Sequence, residues 1–321
     1  MPQLVRALAF VKKAAARANA EAGALDGQLA AAIMAACDEL IAGKHHEQFV
    51  VDVIQGGAGT SMEEDEQRLR EARALIQEIN LGATAIGTGI NAPAGYADLA
   101  GRYLAELSGI PVVKSRNLVE ATQDTGAFVQ LSGVLKRVAT KLSKTCNDLR
   151  LLSSGPQAGF GDIRLPPRQA GSSIMPGKVN PVIPEVVNQV AFEVIGNDMT
   201  VTMASEAGQL QLNAFEPIMG WSLFKSITHL SNACLTLNAH CIAGIEANHD
   251  LLARRVRDSI TLVTALNPLI GYEKAALIAK TALATGAPID QVAQSLGILT
   301  SEQVDALLVP EKLTQPLRRG N

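Results

Sequence analysis

Apolar residues recur at helical spacing along most of this chain, and they are separated by polar positions that mark a second face. The clearest stripe starts at Val182 and continues through Val186 and Val190. Residues three or four positions apart lie on the same side of an α-helix. The spacing predicts a strong helix over 182–203 and a second long helix over about 215–245. We therefore expect an all-α fold, a bundle of long helices.

The same periodicity predicts helices in the first half of the chain. Residues 4–42 are rich in alanine and predict two helices with a break between Gly23 and Asp26. Residues 117–153 predict one long helix. Near its end, Asp148 and Arg150 are interpreted as structural ion-pair or capping residues. The first helix places four apolar residues on one face, namely Leu4, Leu8, Val11 and Ala15.

From Thr264 onward the pattern changes to shorter elements. Glycines at 271, 286 and 297 separate them, and a new helix is predicted to begin at Thr300 to Glu302. This change predicts a small C-terminal helical domain. We expect three domains: an N-terminal helical domain over 1–62, a central helix bundle over 63–263, and the C-terminal domain over 264–321.

Composition narrows the classes of function. Of the 321 residues, 47% are hydrophobic but only 3% are aromatic, which is typical of helices packed closely on small side chains. The net charge of −3 gives no broad attraction to nucleic acid. No apolar run approaches the roughly 20 residues of a membrane span. The basic residues within 1–20 favour an amphipathic helix over a transit peptide.

The cysteines and histidines do not form a recognisable metal motif. Four cysteines are scattered without a CxxC pair, so we expect buried thiols in a reducing, cytoplasmic protein. His229, His240 and His249 lie on or just after the second long helix. Their spacing suits no i, i+4 metal pair. We therefore expect no metal site. The cysteines are Cys37, Cys146, Cys234 and Cys241.

The stretch from Gly171 to Glu185 concentrates the candidate chemistry. It reads GSSIMPGKVNPVIPE and leads directly into the predicted helix at 182. A loop that ends at the positive N-terminus of a helix can hold an anion and stabilise developing negative charge. Taken alone, the serine pair is more typical of a cap or a turn.

This stretch resembles the signature loop of the aspartase/fumarase superfamily, whose members eliminate fumarate from a substituted succinate. The similarity continues through VIPEVVNQVAFEVIGND and through EAGQLQLNAFEPIMG at 206–220, and there it favours the aspartase branch. The resemblance implies conversion of L-aspartate to fumarate and ammonia without a cofactor. It also implies a homotetramer in which loops of three subunits build each active site.

The resemblance assigns roles to individual residues. Ser172 matches the general base that removes a proton beside the substrate carboxylate. Lys178 and Asn180, with loop N–H groups near Ile174, would hold that carboxylate. The supporting residues are Ser173, Met175 and Glu185; in fumarases the glutamate orients a histidine. In QGGAGTS, Thr60 matches a residue that contacts the substrate's amino or carboxylate end. A plain flexible turn is the other interpretation of that segment.

The chain resembles a shortened member of the superfamily. An N-terminal arm is expected to be absent, together with a long internal segment between Met62 and Glu63. That segment carries further substrate loops in the family, including the histidine that pairs with the glutamate matching Glu185. Two alternatives to an active aspartase follow. The chain could be an inactive relative that serves as an oligomeric helical assembly, or it could be a fumarate hydratase, which only the C-terminal residues favour.

Overall fold

A computed structural model of the chain describes residues 2–46, 64–155, 157–169 and 179–307. The described backbone is mostly helical, which confirms the predicted all-α class. The chain divides into two compact units, residues 1–60 and 61–321. No described helix is long and apolar enough to cross a membrane.

The first unit contains two helices that pack against each other, α1 (Pro2–Glu21) and α2 (Gly27–Ile41). The predicted break is confirmed. Gly23 takes a left-handed conformation (φ 65°) after α1. Asp26 then begins α2, because its carboxylate accepts hydrogen bonds from the backbone N–H groups of Gln28 and Leu29 at 2.9 and 3.1 Å.

The face of α1 that packs on α2 is not the stripe picked out from the sequence. Leu8 and Val11 are 50% and 64% exposed, whereas Ala9, next to Leu8, and Ala16 are buried. Alanine allows two helix backbones to approach closely, so the tightest packing follows the small residues rather than the largest ones. The buried set in this unit is Val5, Ala9, Ala16, Ala30 and Cys37.

The second unit begins with α3 and continues through a series of helices joined by short strands. Its elements are α3 (Asp65–Leu75), β1 (Glu78–Ile79), α4 (Tyr96–Ser108), β2 (Val113–Lys114), α5 (Leu118–Ala121), α6 (Gly126–Leu152), β3 (Ile163–Arg164), α7 (Val182–Glu206), α8 (Glu216–His240), β4 (Glu246–Ala247), α9 (His249–Asp258), α10 (Asn267–Thr285), α11 (Ile289–Ser295) and α12 (Ser301–Leu307). Short 3-10 helices cover Ile242–Gly244 and Ile260–Leu266. Strand β1 pairs in parallel with β2, and β3 pairs antiparallel with β4.

Helices α6, α7 and α8 are the long members of a bundle, with 27, 25 and 25 residues. Each packs on the other two, and α3 packs on α6. The shared core contains many small side chains, including fully buried Ala139 and Ala191. The predicted helices at 182–203 and 215–245 are thus confirmed within a few residues.

The predicted single helix over 117–153 is wrong at one place. The chain forms the short helix α5 and breaks before α6 starts at Gly126. Asn117 caps α5 by accepting from the N–H groups of Val119 and Glu120. The Thr125 hydroxyl then hydrogen-bonds Ser205 Oγ of α7 at 2.7 Å. Side-chain bonds of this kind compete with helix continuation.

The C-terminal elements surround a second hydrophobic cluster, to which α10 contributes Ile278 and α11 contributes Val292. Gly286 and Gly297 adopt left-handed conformations after α10 and α11. This agrees with the prediction that these glycines separate short elements. Thr300 begins α12 with a reciprocal pair of bonds to Gln303. The domain boundaries at 62/63 and 263/264 stay predictions.

The expectation of four buried thiols is wrong for one cysteine. Cys37, Cys146 and Cys241 are buried and free, but Cys234 on α8 is exposed. Burial raises the pKa of the Cys146 thiol to about 12. This thiol is therefore protonated at neutral pH and is a poor nucleophile.

Candidate functional site

The described residues include two of the sequence-predicted site residues, Asn180 and Glu185. The others lie outside the part of the chain that the structure describes; they are Thr60, Ser172, Ser173, Met175 and Lys178. The geometry of the site is therefore built from the segment that leads into α7 and from the elements around it.

The signature stretch enters α7 through Asn180 and Pro181. The Asn180 carbonyl accepts from Val182 N–H at 2.9 Å, and the Pro181 carbonyl accepts from Glu185 N–H at 3.1 Å. Pro181 is the N-cap residue and makes no side-chain cap bond. A 25-residue helix with this start presents partial positive charge where the signature stretch ends. The sequence likewise predicted that this loop ends at the positive N-terminus of a helix.

Glu185, in the first turn of α7, faces an arginine of its own chain. Its Oε1 lies 4.0 Å from Nε of Arg150, which is in the last turn of α6. The same guanidinium donates from Nη1 to Asn188 Oδ1 at 3.3 Å. Asn188 is 3% exposed, and its amide donates to both the backbone carbonyl and the hydroxyl of Ser143, at 3.0 and 2.8 Å. The structural interpretation of Arg150 agrees with these contacts, and Asp148 pairs with Lys144.

A cavity of about 720 Å³ opens beside the point where the signature stretch enters α7. Val179 and Pro181 form part of its wall. The remaining wall comes from the turn at 153–161, the β3–β4 pair and α9. Cavities of this size accommodate small-molecule ligands.

Arginines dominate the charge around this cavity. Arg255 pairs with Asp162 and lies over the Phe160 ring, 5.5 Å from its centroid. Arg164 and Arg254 also line the cavity, and no carboxylate of the described residues lies within 4.0 Å of either guanidinium. Glu246 is the one acid among the described residues that line the cavity, so this part of the wall carries excess positive charge. These arginines were not predicted from the sequence, although the adjacent Arg254–Arg255 pair was a visible signal.

A separate ionic cluster lies between α7 and α8. Glu193 accepts from Lys225 Nζ and contacts His229 Nδ1, each at 2.5 Å. These two hydrogen bonds lower the pKa of the Glu193 carboxyl. Among the described residues, no group of three or more His, Cys, Asp or Glu side chains is arranged to hold a metal ion.

The family model described as Lyase matches residues 2–65 and 60–196, and the model described as Fumarase C C-terminus matches residues 262–315. Aspartate ammonia-lyase of Helicobacter pylori is 42% identical, covering 98% of this chain and 90% of the relative. That match extends over 420 residues, whereas this chain has 321. At least 99 residues of the relative therefore have no counterpart here. The two Lyase matches meet at residues 60–65, where the missing segment was expected.

Solved structures give the same picture. A fumarate lyase:delta crystallin from Brucella melitensis, bound to cobalt, is 42% identical with a TM-score of 0.75, covering 98% of this chain and 91% of that one. A class II fumarase from Schistosoma mansoni superposes with a TM-score of 0.72 over 98% of this chain and 91% of that chain. Its identity is 23%, so this second likeness concerns the fold alone.

Proposed function

Since this chain belongs to the Lyase family, within the aspartase/fumarase superfamily, we propose that it eliminates ammonia from L-aspartate to give fumarate, reversibly. The observation that carries the proposal is the 42% identity to an aspartate ammonia-lyase over 98% of the chain. The contiguous GSSIMPGKVNP stretch also supports the aspartase proposal.

The proposed chemistry starts with removal of a weakly acidic proton. Ser172 takes the proton from Cβ of aspartate, and the electron pair of that C–H bond moves onto the adjacent carboxylate. A serine hydroxyl is a weak base unless its environment stabilises the alkoxide. The Lys178 ammonium and nearby loop N–H groups would supply that stabilisation.

The second step returns the electron pair. It forms the Cα–Cβ double bond as the C–N bond breaks, and the amine leaves. Between the two steps the carboxylate carries two negative charges, which Lys178, Asn180 and the N-terminus of α7 would stabilise. Thr60 would contact the amino or carboxylate end of the substrate. The neighbouring arginine-rich cavity adds positive potential that favours a dicarboxylate over a neutral amino acid.

We also propose that the protein is a homotetramer with shared active sites. Helices α7 and α8 expose a broad apolar face that nothing in the described chain covers. Six large side chains on it are at least 61% exposed, namely Phe192, Met199, Met203, Trp221, Phe224 and Leu235. Exposed apolar patches of this kind mark protein–protein interfaces. A second copy of the same face is a self-complementary partner.

The Fumarase C C-terminus match favours one second candidate, hydration of fumarate to L-malate. The decisive experiment follows fumarate absorbance after L-aspartate is added to purified protein, and L-malate is then added to a parallel sample. Fumarate from aspartate alone supports the proposal. Fumarate from malate alone overturns it in favour of the hydratase. No fumarate from either substrate, with a folded tetramer of correct mass, favours the inactive assembly.

A further inference from the structure

We call the residues between α6 and α7, 153–181, the excursion. Helix α6 ends at Leu152 and α7 begins at Val182. Along the sequence the excursion contains Ser172, Lys178 and Asn180, and its described parts form much of the cavity wall. Its two ends are attached to the last turn of α6 and to the first turn of α7.

Arg150 lies at one end of the excursion and Glu185 at the other. Nε of Arg150 lies 4.0 Å from Glu185 Oε1, which is a contact between charges, and its Nη1 donates to Asn188 Oδ1 at 3.3 Å and to Asn147 Oδ1 at 3.4 Å. We call these interactions the stem contact. They join the last turn of α6 to the first two turns of α7.

Buried polar bonds support the stem contact from beneath. Asn188 donates to Ser143 and, at 3.2 Å, to Asn147 Oδ1, all on α6. Along the chain, Arg150 is the member of this network on α6 that lies nearest to the excursion. Its side chain is 43% exposed, so a substitution there removes the contact without opening a cavity in the core.

We propose that Arg150 is a positioning residue that holds the two ends of the excursion together. A planar guanidinium with five donors can serve Glu185, Asn188 and Asn147 at once, whereas an ammonium is a single compact charge. This inference rests on the proposed function to the extent that Ser172 and Lys178 act from the excursion. In that reaction we assign Arg150 no contact with a reacting atom; its role is to hold the ends of α6 and α7 and so to limit the positions open to the base.

The kinetic test compares Arg150→Gln with Arg150→Lys and with Lys144→Gln. Lys144→Gln is the matched control, because it breaks an exposed ion pair within α6 that does not reach α7. For the aspartate reaction we expect kcat of Arg150→Gln to fall by about tenfold to a hundredfold with KM changed less than about twofold. Arg150→Lys should recover part of the loss. An unchanged kcat in Arg150→Gln overturns the inference.

A second test needs no activity. Trypsin can cut after Arg164, which lies in the β3–β4 pair, and after Arg168, whose Nε donates to the His240 carbonyl at 3.0 Å. Cutting there requires local opening. At a temperature well below unfolding, we expect faster cleavage at these two sites in Arg150→Gln, with unchanged rates elsewhere and in Lys144→Gln.

The two tests separate this inference from the proposed function. Suppose that the wild-type protein leaves aspartate unchanged, but Arg150→Gln is cleaved faster than wild type at Arg164 and Arg168. This result supports the stem contact and overturns only the aspartase proposal. Cleavage at Arg164 and Arg168 that matches wild type overturns the stem contact. A uniform increase at all sites also overturns it, because that result indicates general destabilisation.

Discussion

Asp65 Oδ1 lies 2.9 Å from Nε of Arg137, a contact that joins the first turn of α3 to α6. Lys141 Nζ lies 3.3 Å from the other oxygen, and the Asp65 residue is 5% exposed. Its oxygens receive no hydrogen bond of regular geometry from the described residues, so the attraction is one between charges. This ion pair therefore anchors α3 directly after the position where the relatives carry their additional segment.

Replacing Asp65 by Asn should destabilise the protein. The change removes the carboxylate that pairs with Lys141, and among the described residues Arg137 then keeps the exposed Glu64 at 3.3 Å as its acidic partner. Loss of a charged contact at a buried carboxylate costs about 2 kcal/mol in free energy of unfolding. Urea denaturation measures it. Glu66→Gln, which breaks an exposed pair with Arg70, is the control and should cost below about 0.5 kcal/mol.

Replacing Ser172 by Ala should abolish conversion of aspartate to fumarate, with kcat reduced at least about a hundredfold, because the proposed base is lost. Fumarate absorbance measures the rate, and circular dichroism should show unchanged helix content. Ser173→Ala is the matched control and should keep more activity. Retained turnover in Ser172→Ala would show that another group is the base.

Replacing Phe224 by Asp should dissociate the tetramer. Phe224 is 74% exposed on the apolar face of α7 and α8, and burying a carboxylate in an interface without a partner is costly. Light scattering or native mass spectrometry reports the mass. Leu283→Asp on α10 is the control, since Leu283 is 75% exposed but lies outside this face. Equal masses for all three proteins would contradict the assembly surface.

Glu193 should make the stability depend on pH in the acid range. Hydrogen bonds from Lys225 and then His229 hold its pKa below the ordinary 4.5. A depressed carboxyl pKa contributes stability above the unfolded-state value, and this contribution is lost as the pH falls through the folded-state value. The stability difference between wild type and Glu193→Gln should therefore be full at pH 7 and shrink below pH 4.5.

Chemical denaturation of both proteins at several pH values measures this difference. Lys225→Gln removes the donor that lowers the pKa most, so it should lose part of the same acid-sensitive increment. A gap between wild type and Glu193→Gln that stays constant from neutral to strongly acidic pH would show that the Glu193 contacts contribute nothing through ionisation.

Local patterns predicted the helices well because helix formation depends on residues three and four positions apart. The stripe starting at Val182 became α7, and the left-handed glycines at 286 and 297 ended α10 and α11. The break between α5 and α6 escaped prediction. At this break Thr125 contacts Ser205, a residue 80 positions away, and no periodicity encodes such a contact.

The candidate site, too, was predicted only in part from the sequence. The signature stretch was found because its residues are contiguous, and its entry into a helix followed from the apolar pattern. The cavity arginines were missed because β3, β4 and α9 bring Arg164 and Arg254 together from distant parts of the sequence.

The sequence by itself determined the helical class and the position of the long helices, because both depend on neighbours along the chain. The residues proposed to carry the chemistry were assigned from the resemblance of the contiguous signature stretch. Tertiary structure alone decided which face of α1 is buried. It also decided that the buried Asn188 hydrogen-bonds Ser143 and that Arg150 of α6 lies beside Glu185 of α7. Those outcomes depend on how closely two helices approach and on which donors then face which acceptors.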